Sequence, residues 1–154
     1  MILDVKHPSV EQVDAVLTQW AEDAKMDRLE PSAELKKIGS LHSKYLTILS
    51  THRRAMKQGE EKIYKLKRLK VQYYNGRLDQ ATLQKYGWEQ FPYTLKGDLA
   101  TYMDGDSDLL HAKRVVGIHE EIVDLCERII KELSSRTFQL KDIIQWERFI
   151  SGVH

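Results

Sequence analysis

Apolar residues recur at steps of three and four along most of the chain, the spacing that lines one face of a helix. Val10, Val13, Val16, Leu17, Trp20, Ala21 and Ala24 make the first such run, preceded by Ser9 and Gln12 at the spacing of a capping box. The stretch Asp27 to Pro31 ends it, because the residue before a proline disfavours the helical conformation. A second and longer run follows Ser32, which is expected to cap it. Leu35, Ile38, Tyr45, Leu49, Met56, Ile63, Leu66 and Tyr73 fall in one register, and the same register places His42, His52, Gly59 and Lys70 on the seam. Eight of these twelve positions are apolar or aromatic, so the pattern is a heptad repeat with faults. A helix over residues 33–74 would be about 60 Å long. A compact chain of this length has a radius of gyration of about 15 Å. The helix therefore either breaks near Gly59 or projects and packs against other subunits.

Asn75-Gly76 marks the helix end, glycine being the natural left-handed cap. Residues 77–107 are the least regular part. A short helix from Asp79 or Gln80 to Tyr86, closed by Gly87, is predicted there. Trp88, Phe91, Pro92, Tyr93 and Leu95 then form an aromatic connector, read as extended or as one short strand. From about Ser107 to Leu133 the apolar residues Leu109, Val115, Val116, Ile118, Ile122, Val123, Leu125, Cys126, Ile129, Ile130 and Leu133 cover more than one helical face. So wide an arc is buried in a core or at a subunit interface. Ser134-Ser135-Arg136 is read as a break, after which Thr137, Phe138 and Leu140 lead into a last helix carrying Ile143, Ile144, Trp146, Phe149 and Ile150. Trp146 and Phe149 look like interface anchors. The expected fold is all-α, or α with at most one short strand segment: a long helix plus a helical C-terminal half, assembling as a helical oligomer. It is read as one helical domain, with 1–30 an N-terminal arm, 32–76 a long basic helix, 77–107 a connector and 108–154 the apolar oligomerisation helices.

Charge changes this picture in one place. Arg53 to Arg77 holds nine basic and two acidic residues, a balance of +7 in a chain of 154 residues with formal net charge +1. The remainder therefore carries −6. On a helix Arg54, Lys57, Lys65 and Arg68 share one stripe, interrupted only by Glu61. Like charges on a stripe repel, and phosphates along a strand would relieve the repulsion with release of counterions. Lys67, Lys70 and Arg77 extend the basic set, and Tyr73 and Tyr74 at its end could stack on bases. A solvated helix face is the simpler reading of charge alone.

Other chemistry is missing. Asp104-Gly105-Asp106-Ser107-Asp108 fails as a calcium loop, because its sixth position holds Leu109 instead of glycine and its twelfth holds Val115 instead of glutamate. These aspartates are better read as capping the next helix, or as partners of the basic stretch in the same or a neighbouring subunit. There is no phosphate-cradling GxxxxGK[ST] loop, no GxGxxG and no HExxH, and the six histidines form no convincing metal set. No metal and no cofactor are expected, and the chain is read as a non-enzyme. Cys126 stands alone, consistent with a reducing compartment and an inert packing role. No apolar run approaches a membrane span and no leader is visible, so a cytoplasmic protein without membrane contact is expected.

Lys65 to Asp79 (KLKRLKVQYYNGRLD), the aspartate-rich turn before a long apolar helix, and Ser135-Arg136-Thr137-Phe138 followed by Lys141, Ile144 and Phe149 occur in an order that resembles the UvsY family, the recombination mediators of T4-type bacteriophages. The likeness covers roughly residues 41–152. It implies a mostly helical protein forming a ring of six or seven copies in the host cytoplasm. It also implies binding of single-stranded DNA and loading of a RecA-like recombinase onto strands covered by the phage single-strand binding protein. The family's basic positions before the tyrosine pair fall on Arg68 and Lys70, and its self-association segment on the last two helices. Arg68-Leu69-Lys70-Val71 stands where the best-known member has Lys-Ala-Arg-Leu, and Thr137 stands where that member has glycine. The candidate DNA-binding residues are thus Arg54, Lys57, Lys65, Lys67, Arg68, Lys70, Tyr74 and Arg77. The candidate oligomerisation residues are Ile122, Ile129, Leu133, Phe138, Ile143, Trp146 and Phe149. The competing reading is a helical oligomeric scaffold or adaptor, without intrinsic nucleic-acid binding, whose basic face meets acidic protein surfaces.

Overall fold

Five helices follow one another in a computed structural model that describes residues 1–152: α1 (Val10–Asp23), α2 (Pro31–Tyr74), α3 (Gln80–Tyr86), α4 (Leu99–Asp104) and α5 (Ser107–Ile150). No strand occurs among the described residues, so the fold is all-α and the aromatic connector is not a strand. The chain packs as two compact units, residues 1–55 with the chain from Ile118 onward, and Met56–Gly117. Each is built partly from α2 and partly from α5.

α1 begins as its capping residues require: the Ser9 amide donates to Gln12 Oε1 at 3.0 Å. The Gln12 amide group then donates to the carbonyls of Met1 and Asp4, which orders the N-terminal arm. α2 starts at Pro31 and not after Ser32, since proline's fixed φ suits the first helical position, where its missing N–H costs nothing. The helix then runs 44 residues without a break at Gly59. It closes in a Schellman arrangement: Gly76 takes a φ of 69°, its amide donates to the Tyr73 carbonyl, and the Arg77 amide donates to the Gln72 carbonyl. α4, in the stretch expected to be irregular, has no apolar periodicity long enough to announce it.

The break expected at Ser134-Ser135-Arg136 does not occur, and α5 is one helix of 44 residues. The Ser134 hydroxyl donates to the Ile130 carbonyl and the Thr137 hydroxyl to the Leu133 carbonyl, so these side chains are satisfied one turn back inside the helix. Buried Leu133 and Leu140 flank them and hold the helical backbone in place.

In the unit formed by the two chain ends, Val13 and Val16 of α1, Tyr45, Ile48 and Leu49 of α2, and Ile118, Ile122, Cys126, Ile129 and Leu133 of α5 make the core. Trp20 meets Tyr45 edge to face at 5.5 Å between centroids, and the Arg136 guanidinium lies over Trp20 while donating to the Ala24 carbonyl. The core of the other unit is aromatic. Tyr73, Tyr74, Trp88, Phe91 and Tyr102 pack ring against ring, with Leu83 and Leu109 buried beside them.

Three faults in the α2 heptad seam are specific pairings. His52 is fully buried with Nδ1 2.9 Å from Nδ1 of His119, and its Nε2 lies 2.6 Å from the Ile2 carbonyl. Both contacts are met when His52 donates from Nε2 to Ile2 and accepts at Nδ1 from His119. Gly59 brings the α2 backbone against α5: a Cβ there would lie 2.6 Å from Val116 Cγ2. Lys70 turns inward onto Asp106 and Asp108, at 3.0 and 2.7 Å.

Candidate nucleic-acid interface

The cations of α2 divide according to the face they occupy. Lys57, Lys62, Lys65, Lys67 and Arg68 are exposed, as is Arg77 just beyond the helix. None of the six forms an ion pair within the described residues. Half-buried Met56, Ile63, Leu66 and Tyr73 take the opposite side, which fixes Lys57, Lys65 and Arg68 outward on the helical repeat. Arg54, which belongs to the other unit, is exposed as well, and its neighbour Arg53 pairs with Glu127. The acidic residues on the exposed part of this stretch are Glu60 and Glu61.

Two expected contact residues are not on this surface. Lys70 is 4 % exposed, its ammonium held by Asp106 and Asp108 and lying 3.9 Å from the centre of the Trp88 ring. The reason is register: Lys70 shares the seam with Ile63 and Leu66 and therefore points inward. A buried ammonium requires paired charge, and the aspartate-rich turn provides it within the same chain. Tyr74 is buried too, its hydroxyl donating to Asp106 Oδ2 at 2.6 Å and its ring against Phe91. Tyr73 donates to the Glu89 carbonyl. The tyrosine pair belongs to the aromatic core.

Asp106 is the centre of this network. Burial works to raise its carboxyl, but the hydroxyl of Tyr74, the amide of Leu109 and the Lys70 ammonium outweigh that and hold it below the usual carboxylate range. Burial pushes the Tyr74 phenol upward, and the adjacent Asp106 charge adds to the shift. The Asp106 contact to the Leu109 amide caps α5, the role expected of the aspartate cluster.

An exposed aromatic residue escaped the sequence reading. Tyr64 is 73 % exposed on the outer side of α2, four residues before Arg68 and next to Lys65. Its position off the seam of Ile63 and Leu66 was the available signal, overshadowed by the tyrosine pair downstream.

The expected oligomerisation residues also divide. Ile122, Ile129 and Leu133 lie in the core of their own chain and are not free for another subunit. The wide apolar arc of α5 is used up there by α1 and α2. Ile143 is half-buried, and Phe138, Trp146 and Phe149 are exposed, with Ile150 beside them. Trp146 and Phe149 stack at 5.8 Å. Among the described residues no cluster of three or more His, Cys, Asp or Glu side chains could hold a metal ion, and no helix is long and apolar enough to cross a membrane.

Comparison with known proteins agrees with this architecture. The crystal structure of the bacteriophage T4 recombination mediator protein UvsY in lattice type II superposes with a TM-score of 0.76 at 20 % identity, covering 90 % of this chain and 96 % of that one. Lattice type IV of the same protein gives 0.76 at 20 % identity, over 89 % and 98 %. A search of curated protein sequences gives no significant match. A family model described as "Recombination, repair and ssDNA binding protein UvsY" matches residues 19–153, and so reaches well into the first 40 residues. With the family pattern over nearly the whole length, and a shared all-α fold, the chain belongs to the UvsY family of recombination, repair and single-stranded-DNA-binding proteins.

Proposed function

We propose that this protein is a recombination mediator that grips single-stranded DNA through the exposed cations of α2 and helps load a RecA-like recombinase onto strands covered by single-strand binding protein. The observation that carries the reading is the separation of charge on one helix. Lys70 is neutralised inside the chain, whereas Lys57, Lys65, Lys67, Arg68 and Arg77 are left in water without intramolecular partners among the described residues. Arg54 is a further candidate on the other unit. Charges of one sign kept unpaired on a helix face are a liability for folding alone and an asset for meeting phosphates.

Assembly supplies the rest. The exposed Phe138, Trp146, Phe149 and Ile150 of α5, with Ile143, are the candidate contact for further copies, in a ring of six or seven. Several weak basic faces on one particle raise avidity without any new contact. The action is binding and handing over, with no chemical step and no cofactor.

Fluorescence anisotropy with labelled single-stranded and duplex oligonucleotides across a salt series tests this. Binding should favour the single strand. Replacing Lys57, Lys65 and Arg68 together by alanine should lower the slope of log K against log salt by about two for each protomer engaged, at roughly 0.7 per phosphate contact. An unchanged slope would overturn the assignment of these residues. Oligomers with negligible DNA affinity near physiological salt would favour the scaffold reading.

A further inference from the structure

Tyr64 stands 73 % exposed on α2. Its ring makes no aromatic or cation–π pair and its hydroxyl no hydrogen bond among the described residues, although Tyr45, Tyr73 and Tyr74 on the same helix are all engaged. A single exposed aromatic is ordinary on a protein surface. The setting of this one is not. Lys65 follows it directly, Lys67 and Arg68 lie one turn on, and Lys57 lies two turns back on the same side, all of them exposed. The cations rise along the helix by about 4.5 Å from Lys65 to Arg68 and about 12 Å from Lys57 to Lys65. Tyr64 falls between them. An extended strand drawn along this face has its phosphates attracted on both sides of the phenol ring.

We propose that Tyr64 is the base-contacting residue of this face, its ring stacking on an unpaired base of a single strand whose phosphates rest on Lys57, Lys65 and Arg68. The assignment rests on the single-strand binding proposed above and adds to it a contact with the bases themselves. Every base has a stacking face, so the contact is tolerant of sequence. Bases within a duplex are already stacked on their neighbours and do not offer that face, so Tyr64 also discriminates single strands from double strands. The tyrosine pair at the end of α2 is committed elsewhere: Tyr74 is buried, and the Tyr73 ring packs on Trp88 and Phe91 with its hydroxyl on the Glu89 carbonyl.

The test compares a labelled oligothymidylate with a strand of equal length made of abasic residues, which keeps the phosphates and removes the bases. Anisotropy is measured over a salt series for the full-length wild type, Tyr64→Ala, Tyr64→Phe and the Lys57/Lys65/Arg68 triple alanine variant. Wild type should bind the thymidylate at least about fivefold more tightly than the abasic strand, the lower end of a stacking contact. Tyr64→Ala should lose that preference with its salt slope unchanged, and Tyr64→Phe should keep it. Equal binding of both strands by wild type, or a full preference retained in Tyr64→Ala, overturns the proposal. Loss of preference in Tyr64→Ala combined with an unaltered slope in the triple variant supports stacking and overturns the phosphate contacts. Binding of neither strand by wild type overturns both.

Discussion

Gly59→Ala separates helix propensity from packing at one atom. In an open helical position the change from glycine to alanine stabilises by about 1 kcal/mol, chiefly by restricting the unfolded chain. At Gly59 the new methyl would lie 2.6 Å from Val116 Cγ2 and 3.9 Å from its Cβ. Carbon atoms in contact prefer about 3.5–4.0 Å, so about 1 Å must be found. The side chain that must yield is short and β-branched, and on a helix such a side chain has one strongly preferred rotamer. Turning it or shifting a backbone costs about 1–3 kcal/mol, the usual range for an overpacked site. The expected net effect is a loss of about 0–2 kcal/mol. Gly39 and Gly117 are the controls, both helical with no atom within 4 Å of a built Cβ, so alanine there should stabilise by about 1 kcal/mol. Denaturant midpoints at a single protein concentration measure all three, the concentration being fixed because the proposed assembly would add to stability. Val116→Ala removes the obstructing methyl, so the double variant should recover most of the glycine-to-alanine gain in a double-mutant cycle. If Gly59→Ala proves as stabilising as Gly39→Ala, the close approach of α2 and α5 at this point is wrong.

Lys70→Met should destabilise by about 3 kcal/mol, since it leaves Asp106 buried without its cation, and yet leave the salt slope of DNA binding unchanged. A reduced slope would return Lys70 to the interface. Acid should weaken the fold in two steps of the same sign. Burial and then the neighbouring His52 hold the His119 ring below its ordinary value of 6.5, so the unfolded chain takes up a proton there that the folded chain refuses, and stability falls as pH drops through that value. The Tm should accordingly decline from about pH 7.5 to about pH 5.5, and His119→Gln should flatten that decline. Asp106, held below the ordinary 3.8, adds stability above that range and loses it at lower pH, so Asp106→Asn should blunt the acid limb. Trp146→Glu with Phe149→Glu should reduce the particle mass by light scattering and leave the helical circular dichroism intact, because both side chains are exposed in the single chain. Cys126, with its thiol pushed up to about 12 by burial, should react with a thiol reagent only after denaturation.

The sequence by itself determined the first three helices and the charge. Periodicity placed α1 and α2 to within a residue or two, Asn75-Gly76 placed the end of α2, and Asp79 and Gly87 bounded α3. Those features are local, set by side chains within a turn or so of the backbone they control. The density of cations before the tyrosine pair was equally plain, because charge is counted without a partner. What only the tertiary structure decided was direction. Lys70 and Tyr74 were read with the basic run to which they belong, and packing turned them inward onto Asp106, more than 30 residues away in the chain. Ile122, Ile129 and Leu133 were assigned to self-association, and α1 and α2 take them for the core. The Ser134-Ser135 turn signal yielded to the burial of Leu133 and Leu140, which holds a helix that the local sequence would let go. A heptad seam shows where a helix wants cover and leaves unsaid what will cover it. His52, Gly59 and Lys70 looked like defects until their partners His119, Val116 and Asp106 were in place.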